Sequence, residues 1–243
     1  MKKHNFFLLL FVILLHFTPC AYTETPKELF SQANQQYKSG KFKRAMELYK
    51  KIPNKSALVN YNLGNCAYKL KKYGYAMLYW RRAEKNWGFF NRRELIDNIT
   101  LLEQNIQVKS GFPRKIKNFI LSWIRAIPLF LLQLIFLFLW LFIFVYLRFL
   151  YKKRKKNLII SLFSLIAILG MIIVIRYSLE ARIYGVVINR QTALLSGPGS
   201  NFQTLQQIPE AQQVIIKKES GEYYKIKVYK RIGWTHQKDI EKI

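Results

Sequence analysis

PLFLLQLIFLFLWLFIFVYLRFLYKKRKKNLIISLFSLIAILGMIIVI, residues 128–175, decides the architecture. It holds two uncharged apolar runs, 128–147 and 158–175, joined by RFLYKKRKK at 148–156, where six of nine residues are basic. Twenty residues of helix at about 1.5 Å each reach about 30 Å, the thickness of a bilayer's hydrocarbon core. The second run sits at the short end of that range. Pro128 suits a first helical turn, where its missing N–H costs nothing. Trp123 and Tyr146 stand near the two ends of the first run, where interfacial aromatics collect. A connection this short makes the runs an antiparallel transmembrane hairpin, and the positive-inside rule puts the basic loop 148–157 in the cytoplasm. Binding of anionic lipid head groups is the other use open to that loop. The flanking segments, 22–115 and 177–243, are then expected together on the periplasmic side of a bacterial inner membrane.

The N-terminus agrees with this topology. Residues 1–21 read MKKHNFFLLLFVILLHFTPCA: two lysines, an apolar run over 6–17, then small and polar residues. That is the three-part pattern of a signal peptide, and it sends 22–115 outward. Cys20 leaves acylation open, and an uncleaved anchor is a third reading.

Composition narrows the function. The 243 residues carry a net charge of +27 and are 51% hydrophobic. The apolar excess gathers in three runs, and the positive charge is densest beside them, so topology explains it and no nucleic-acid partner is expected. Cys20 and Cys66 build no disulfide framework, and Cys66 reads as a small buried hydrophobe. His236 is the one histidine beyond residue 21, and Asp97 and Asp239 are the only aspartates. Metal-ligand clusters and Gly-rich phosphate loops do not occur, and Glu47 and Glu84 sit in no cleft-forming context. The expectation is a protein that is not an enzyme and takes no metal or cofactor.

Self-similarity runs over 31–90. SQANQQYKSGKFKRAMELYKKI (31–52) and NLGNCAYKLKKYGYAMLYWRRA (62–83) align with an offset of 31 residues. Tyr37 matches Tyr68, Phe42 matches Tyr73, Ala45 matches Ala76, and Tyr49 matches Trp80. Each stretch reads as helix, turn, helix, with the turns at 39–41 and 71–72. A further helix follows, with Asn91 and Glu94 at capping-box spacing and a stripe of Leu95, Ile99, Leu102 and Ile106. Leu63-Gly64, Tyr73, Ala76, Trp80 and Ala83 make the segment resemble the tetratricopeptide repeat. It departs at Gln32-Ala33, at Gly88 and in the shorter offset, which Pro53 can absorb by ending its helix early. The resemblance implies an all-α tetratricopeptide solenoid over 22–112 with a concave, partner-binding face. Tyr61, Asn65, Tyr68 and Lys69 are its candidate contacts, with Asn65 and Lys69 suited to a partner's carboxylate or backbone. Packing for the tyrosines and a solvated Lys69 is the alternative. Residues 113–127 are juxtamembrane.

Beyond residue 176 the pattern changes to period two. Segments 184–188, 214–218 and 224–228 read as strands, separated by turn signals at Ser196-Gly197-Pro198-Gly199, Ile208-Pro209 and Ser220-Gly221. SGPGSNF (196–202), ESGEYYKI (219–226) and GWTHQKDI (233–240) together resemble the bacterial SH3-like domain. Glu210 stands where that family usually has glycine, and Tyr223 where it often has tryptophan. The resemblance implies an all-β small barrel over 176–243, with Phe202, Tyr223 and Trp234 as groove aromatics toward a cell-wall peptide or a protein. Burial of Tyr224 and Trp234 in the barrel core is the alternative.

The whole order is similar to that of the BatE-type proteins of the Bat (Bacteroides aerotolerance) operon. The expected fold class is therefore a multidomain membrane protein: solenoid, two-helix transmembrane hairpin, SH3-like barrel. The resemblance implies a scaffold partnered by membrane proteins with von Willebrand A domains, in envelope or oxidative stress tolerance. A tether binding peptidoglycan through the C-terminal domain is the competing expectation.

Overall fold

A computed structural model describes residues 24–86, 93–106, 128–149 and 156–243. The expectations for the signal peptide 1–21, Cys20, Gly88, the Asn91 cap, Trp123, the juxtamembrane stretch 113–127 and residues 150–155 of the basic loop lie outside the described residues.

Helix α1 (Pro26–Lys38) starts at a complete capping box. Glu28 N–H donates to Thr25 Oγ1 and Thr25 N–H donates back to the Glu28 carboxylate, satisfying two donors that a helix start leaves orphaned. Four more helices follow: α2 (Phe42–Lys51), α3 (Ala57–Lys69), α4 (Tyr73–Asn86) and α5 (Arg93–Asn105). Ser56 caps α3 through Val59 N–H. Ala33, Ala45, Ala67, Ala76 and Ala83 have no exposed surface, and such small side chains let the backbones approach. Tyr49 and Trp80 fill the space between helices and are almost wholly buried. On α5, Leu95, Ile99 and Leu102 are buried and close the open side of α4.

Helices α6 (Leu129–Phe149) and α7 (Lys156–Glu180) carry the two apolar runs. Phe136, early in α6, meets Gly170, late in α7, so the pair runs antiparallel. Both are long and apolar enough to cross a membrane. Little of either helix is buried: Phe130 is 70% exposed, Phe144 67% and Met171 66%.

Two residues after α7 the chain enters strand β1 (Ile183–Val187), followed by β2 (Thr192–Leu195), β3 (Thr204–Ile208), β4 (Gln213–Ser220), β5 (Tyr223–Val228), β6 (Arg231–His236) and β7 (Ile240–Lys242). They form one seven-stranded antiparallel sheet in the order β3-β2-β6-β5-β4-β1-β7. Strands β1, β4 and β5 overlap the period-two segments. Strands β2, β3, β6 and β7 are short or polar, as in TLQQI of β3, and periodicity does not reveal them.

This architecture corrects the expected fold class. The chain is not an all-α tetratricopeptide solenoid joined to a separate all-β SH3-like barrel; it is a mixed α/β fold. The strands make a sheet whose two edges are β3 and β7, and α4 packs onto its strand β1. Strand β1 shows why. Successive residues of a strand face opposite sides. Val187 belongs to the sheet's own core with Leu194, Val214, Ile226 and Ile240. Its neighbour Val186 faces the other way and joins the helical core, as does Ala211. The apolar back of β1 is thus buried by α4.

Polar ties reinforce that junction. Gly74 N–H, in the first turn of α4, donates to Glu210 Oε1 at 2.8 Å, so a carboxylate from the β3–β4 turn satisfies an orphan donor at the positive end of the helix. Glu210 Oε2 pairs with Arg190 Nε at 3.4 Å. Arg82 of α4 donates to the Lys242 carbonyl. Gly74 is required by closeness: a Cβ there would stand 2.6 Å from Ile188 Cα and 2.7 Å from the Val187 carbonyl oxygen.

Candidate functional site

The helix-borne candidates lie on α3, spaced so that positions 61, 65 and 68 share a face. The structure uses that face inside the protein. The Tyr61 hydroxyl donates to Glu94 Oε2 at 3.4 Å and accepts from Asn98 Nδ2 at 3.2 Å, tying α3 to α5. Asn65 Oδ1 accepts the Trp80 indole N–H at 3.0 Å. The Tyr68 ring lies 5.9 Å from Tyr73 and 5.7 Å from Trp80. Of the four, Lys69 alone is exposed. It stands in the last turn of α3, where a cation opposes the negative end of the helix.

The bond from Asn65 to Trp80 has a counterpart one repeat earlier. Tyr49 OH donates to Asn34 Oδ1 at 2.5 Å, and Asn62 Nδ2 donates to Tyr49 OH at 3.1 Å. Asn34 and Asn65 keep the 31-residue offset, as do Tyr49 and Trp80. In both repeats an asparagine of the first helix holds the polar atom of the large aromatic on the second. A buried ring with an unpaired polar atom is costly, so the asparagine belongs with the ring. The sequence carries this signal in the same 31-residue offset.

Burial also sets the chemistry of this core. It pushes the Cys66 thiol up to about 12, so Cys66 stays protonated at neutral pH and is a packing group. It pushes the Tyr49 hydroxyl up to about 12 as well, with Cys66 adding to the effect. On α4, Arg81 bridges Glu84 at 2.7 Å and the buried Glu103 at 3.1 Å, fastening α5 to α4. Among the described residues no three His, Cys, Asp or Glu side chains gather where they could hold a metal ion.

The sheet-borne candidates divide. Phe202 is 48% exposed in the β2–β3 loop, and its ring covers Gly197 so closely that a Cβ there would lie 2.4 Å from it. Tyr223 and Trp234 are half-buried on adjacent strands β5 and β6. Inward-facing Tyr224, Ile226 and Val228 belong to the sheet core, so Tyr223, Lys225 and Lys227 face outward. Register sets Lys225 opposite Trp234 and Tyr223 opposite His236. Lys225 Nζ sits 5.7 Å from the Trp234 ring centre, and the Tyr223 ring 5.3 Å from His236. Tyr223 and Trp234 therefore share one outward face with lysines, while Phe202 belongs to the loop.

Glu210 is the functional residue of the interface that reasoning from sequence missed. Its one signal was a carboxylate where a turn residue was expected. No family model matches the chain, and no curated protein matches it.

Proposed function

We propose that this chain is a membrane-anchored scaffold for protein–protein interaction, with a single α/β head facing the periplasm. The observation that carries the reading is the shared core. The helices before the apolar hairpin and the sheet after it bury Val186 and Ala211 together, and Gly74 bonds to Glu210 across them. Two segments in such contact lie on the same side of a bilayer, which is what a hairpin of α6 and α7 requires. The six basic residues at 148–156, at the hairpin's closed end, favour the cytoplasm for that end, and hence the periplasm for the head.

The surface left for partners is chiefly that around Lys69, since Tyr61, Asn65 and Tyr68 are engaged internally. The similarity of order to Bat proteins points to membrane proteins with von Willebrand A domains as those partners. Two measurements test the reading. Protease added to intact spheroplasts is expected to remove tags at 110 and 243 and spare one at 153. A photo-crosslinker replacing Lys69 is expected to capture an A-domain membrane protein. Protection of either outer tag refutes the topology, and a Lys69 probe that captures no membrane protein refutes the scaffold.

A further inference from the structure

The outward face of β4, β5 and β6 carries a pattern that costs the fold stability. Lys218 of β4 stands directly opposite Lys225 of β5, and like charges in facing positions repel. Lys227 follows on the same face, two residues along. Among the described residues none of these three lysines forms an ion pair; Glu219 pairs with Lys242, and the exposed Glu222 lies 3.3 Å from His236 Nε2. Between and beside the lysines lie Trp234, Tyr223 and Ile232, the last 50% exposed. Lysines interleaved with a tryptophan, a tyrosine and an aliphatic side chain make a surface suited to the boundary between lipid head groups and acyl chains.

Register says how far this face is from a membrane. The chain leaves α7 at Glu180 and enters β1 at Ile183. Ile183 lies opposite Ile216, and Ile216 opposite Ile226. Lys218 and Lys225 are therefore one and two strands away and only a residue or two displaced along them. At roughly 5 Å per strand and 3.3 Å per residue, they sit within about 15 Å of the point where the chain enters the sheet. Two residues of linker hold that point to the membrane helix, so the lysines stay within a side chain's reach plus a Debye length of about 8 Å. The other side of the sheet is closed by its own core, and α4 covers the outward side of β1 at Val186, which leaves the outward side of β4, β5 and β6 as the uncovered part.

We infer that the Lys218–Lys225–Lys227–Trp234 face of the sheet docks on anionic lipid head groups of the membrane in which α6 and α7 are anchored. This rests on the membrane reading above and adds a lipid-dependent orientation of the head. Docking relieves the Lys218–Lys225 repulsion with phosphates and seats Trp234 and Ile232 at the interface.

The test uses the full chain with Cys20→Ser, since Cys66 is buried, in lipid nanodiscs with a nitroxide at one introduced cysteine. Ile232→Cys reports the face and Phe142→Cys, in α6, reports the anchor. In discs with about a third of the lipid as phosphatidylglycerol, the 232 label is expected to lose accessibility to a water-soluble relaxer by about fivefold against phosphatidylcholine discs. The effect should vanish in Lys218→Gln/Lys225→Gln/Lys227→Gln. It should also vanish for the unmodified lysines in about 1 M salt, where the Debye length is about 3 Å; this arm does not depend on the variant folding. A 232 label equally water-exposed in both lipids overturns the inference, as does a shift that survives salt. So does protection of 232 by purified peptidoglycan and not by anionic lipid. Lipid exposure of the 142 label in those outcomes leaves the membrane reading standing, whereas water exposure at 142 overturns that reading itself.

Discussion

Gly74→Ala probes the shared core directly, because the added methyl has nowhere to go. Its Cβ would meet Ile188 Cα at 2.6 Å, the Val187 carbonyl oxygen at 2.7 Å and the Ile188 carbonyl oxygen at 3.0 Å. All three are backbone atoms, at the last residue of β1, which is pinned by β4 and β7, and at the residue after it, whose N–H donates to the Asp239 carbonyl. Non-bonded carbons prefer about 3.5–4.0 Å, so β1 must move away from α4 by roughly 1 Å. Overpacking of that kind costs about 1–3 kcal/mol. The same shift stretches the 2.8 Å bond from Gly74 N–H to Glu210 beyond useful length, and a hydrogen bond to a charged group is worth about 1.5–3 kcal/mol. Alanine's better helix propensity returns about 1 kcal/mol at most. The net loss is about 2–4 kcal/mol, which for a chain of this size lowers Tm by roughly 5–10 °C. Thermal unfolding followed by near-ultraviolet circular dichroism in mild detergent reads the loss. Amide exchange should locate it, with Val186 and Val187 exchanging faster and α1 to α3 little changed. A variant whose Tm stays within a degree of the parent, with β1 as protected as before, would refute the claim that helix and strand are held this close.

Other outcomes follow from the same contacts. Arg81→Ala strips a buried partner from Glu103 and should cost about 3–5 kcal/mol, with α5 the first element to become protease-sensitive. Asn65→Ala leaves the Trp80 indole N–H unpaired and should destabilise by about 1–3 kcal/mol with a shifted tryptophan emission; an unchanged Tm would restore Asn65 as a free surface residue. Cys66 and Tyr49 are raised from 9.0 and 10.0 to about 12, so both bind their protons more tightly when folded. The stability they contribute is full below about pH 9 and is lost as pH rises toward 12; Tyr49→Phe should flatten that alkaline limb of a pH-denaturation curve. Thr25→Ala removes the capping box of α1 and should cost about 1 kcal/mol, seen as faster amide exchange confined to the first turn of α1.

Local features of this chain were legible because they depend on neighbours in sequence. The length and lack of charge of the runs in α6 and α7 set two helices able to span a bilayer, whatever packs around them. The spacing of Leu95, Ile99 and Leu102 set the buried stripe of α5, and alternation marked β1, β4 and β5. The 31-residue offset even contained the pairing of Asn34 with Tyr49 and of Asn65 with Trp80. What the sequence could not show was which apolar surface meets which. Val186 and Val187 are adjacent and equally apolar, and nothing in their order says that one belongs to the helices and the other to the sheet. The ties that decide it join residues 136 and 160 positions apart, Gly74 to Glu210 and Arg82 to Lys242. Contacts at such separation leave no periodic trace, so helices and strands read one at a time look like two domains. Only the tertiary structure, by burying the back of β1 under α4, makes them one.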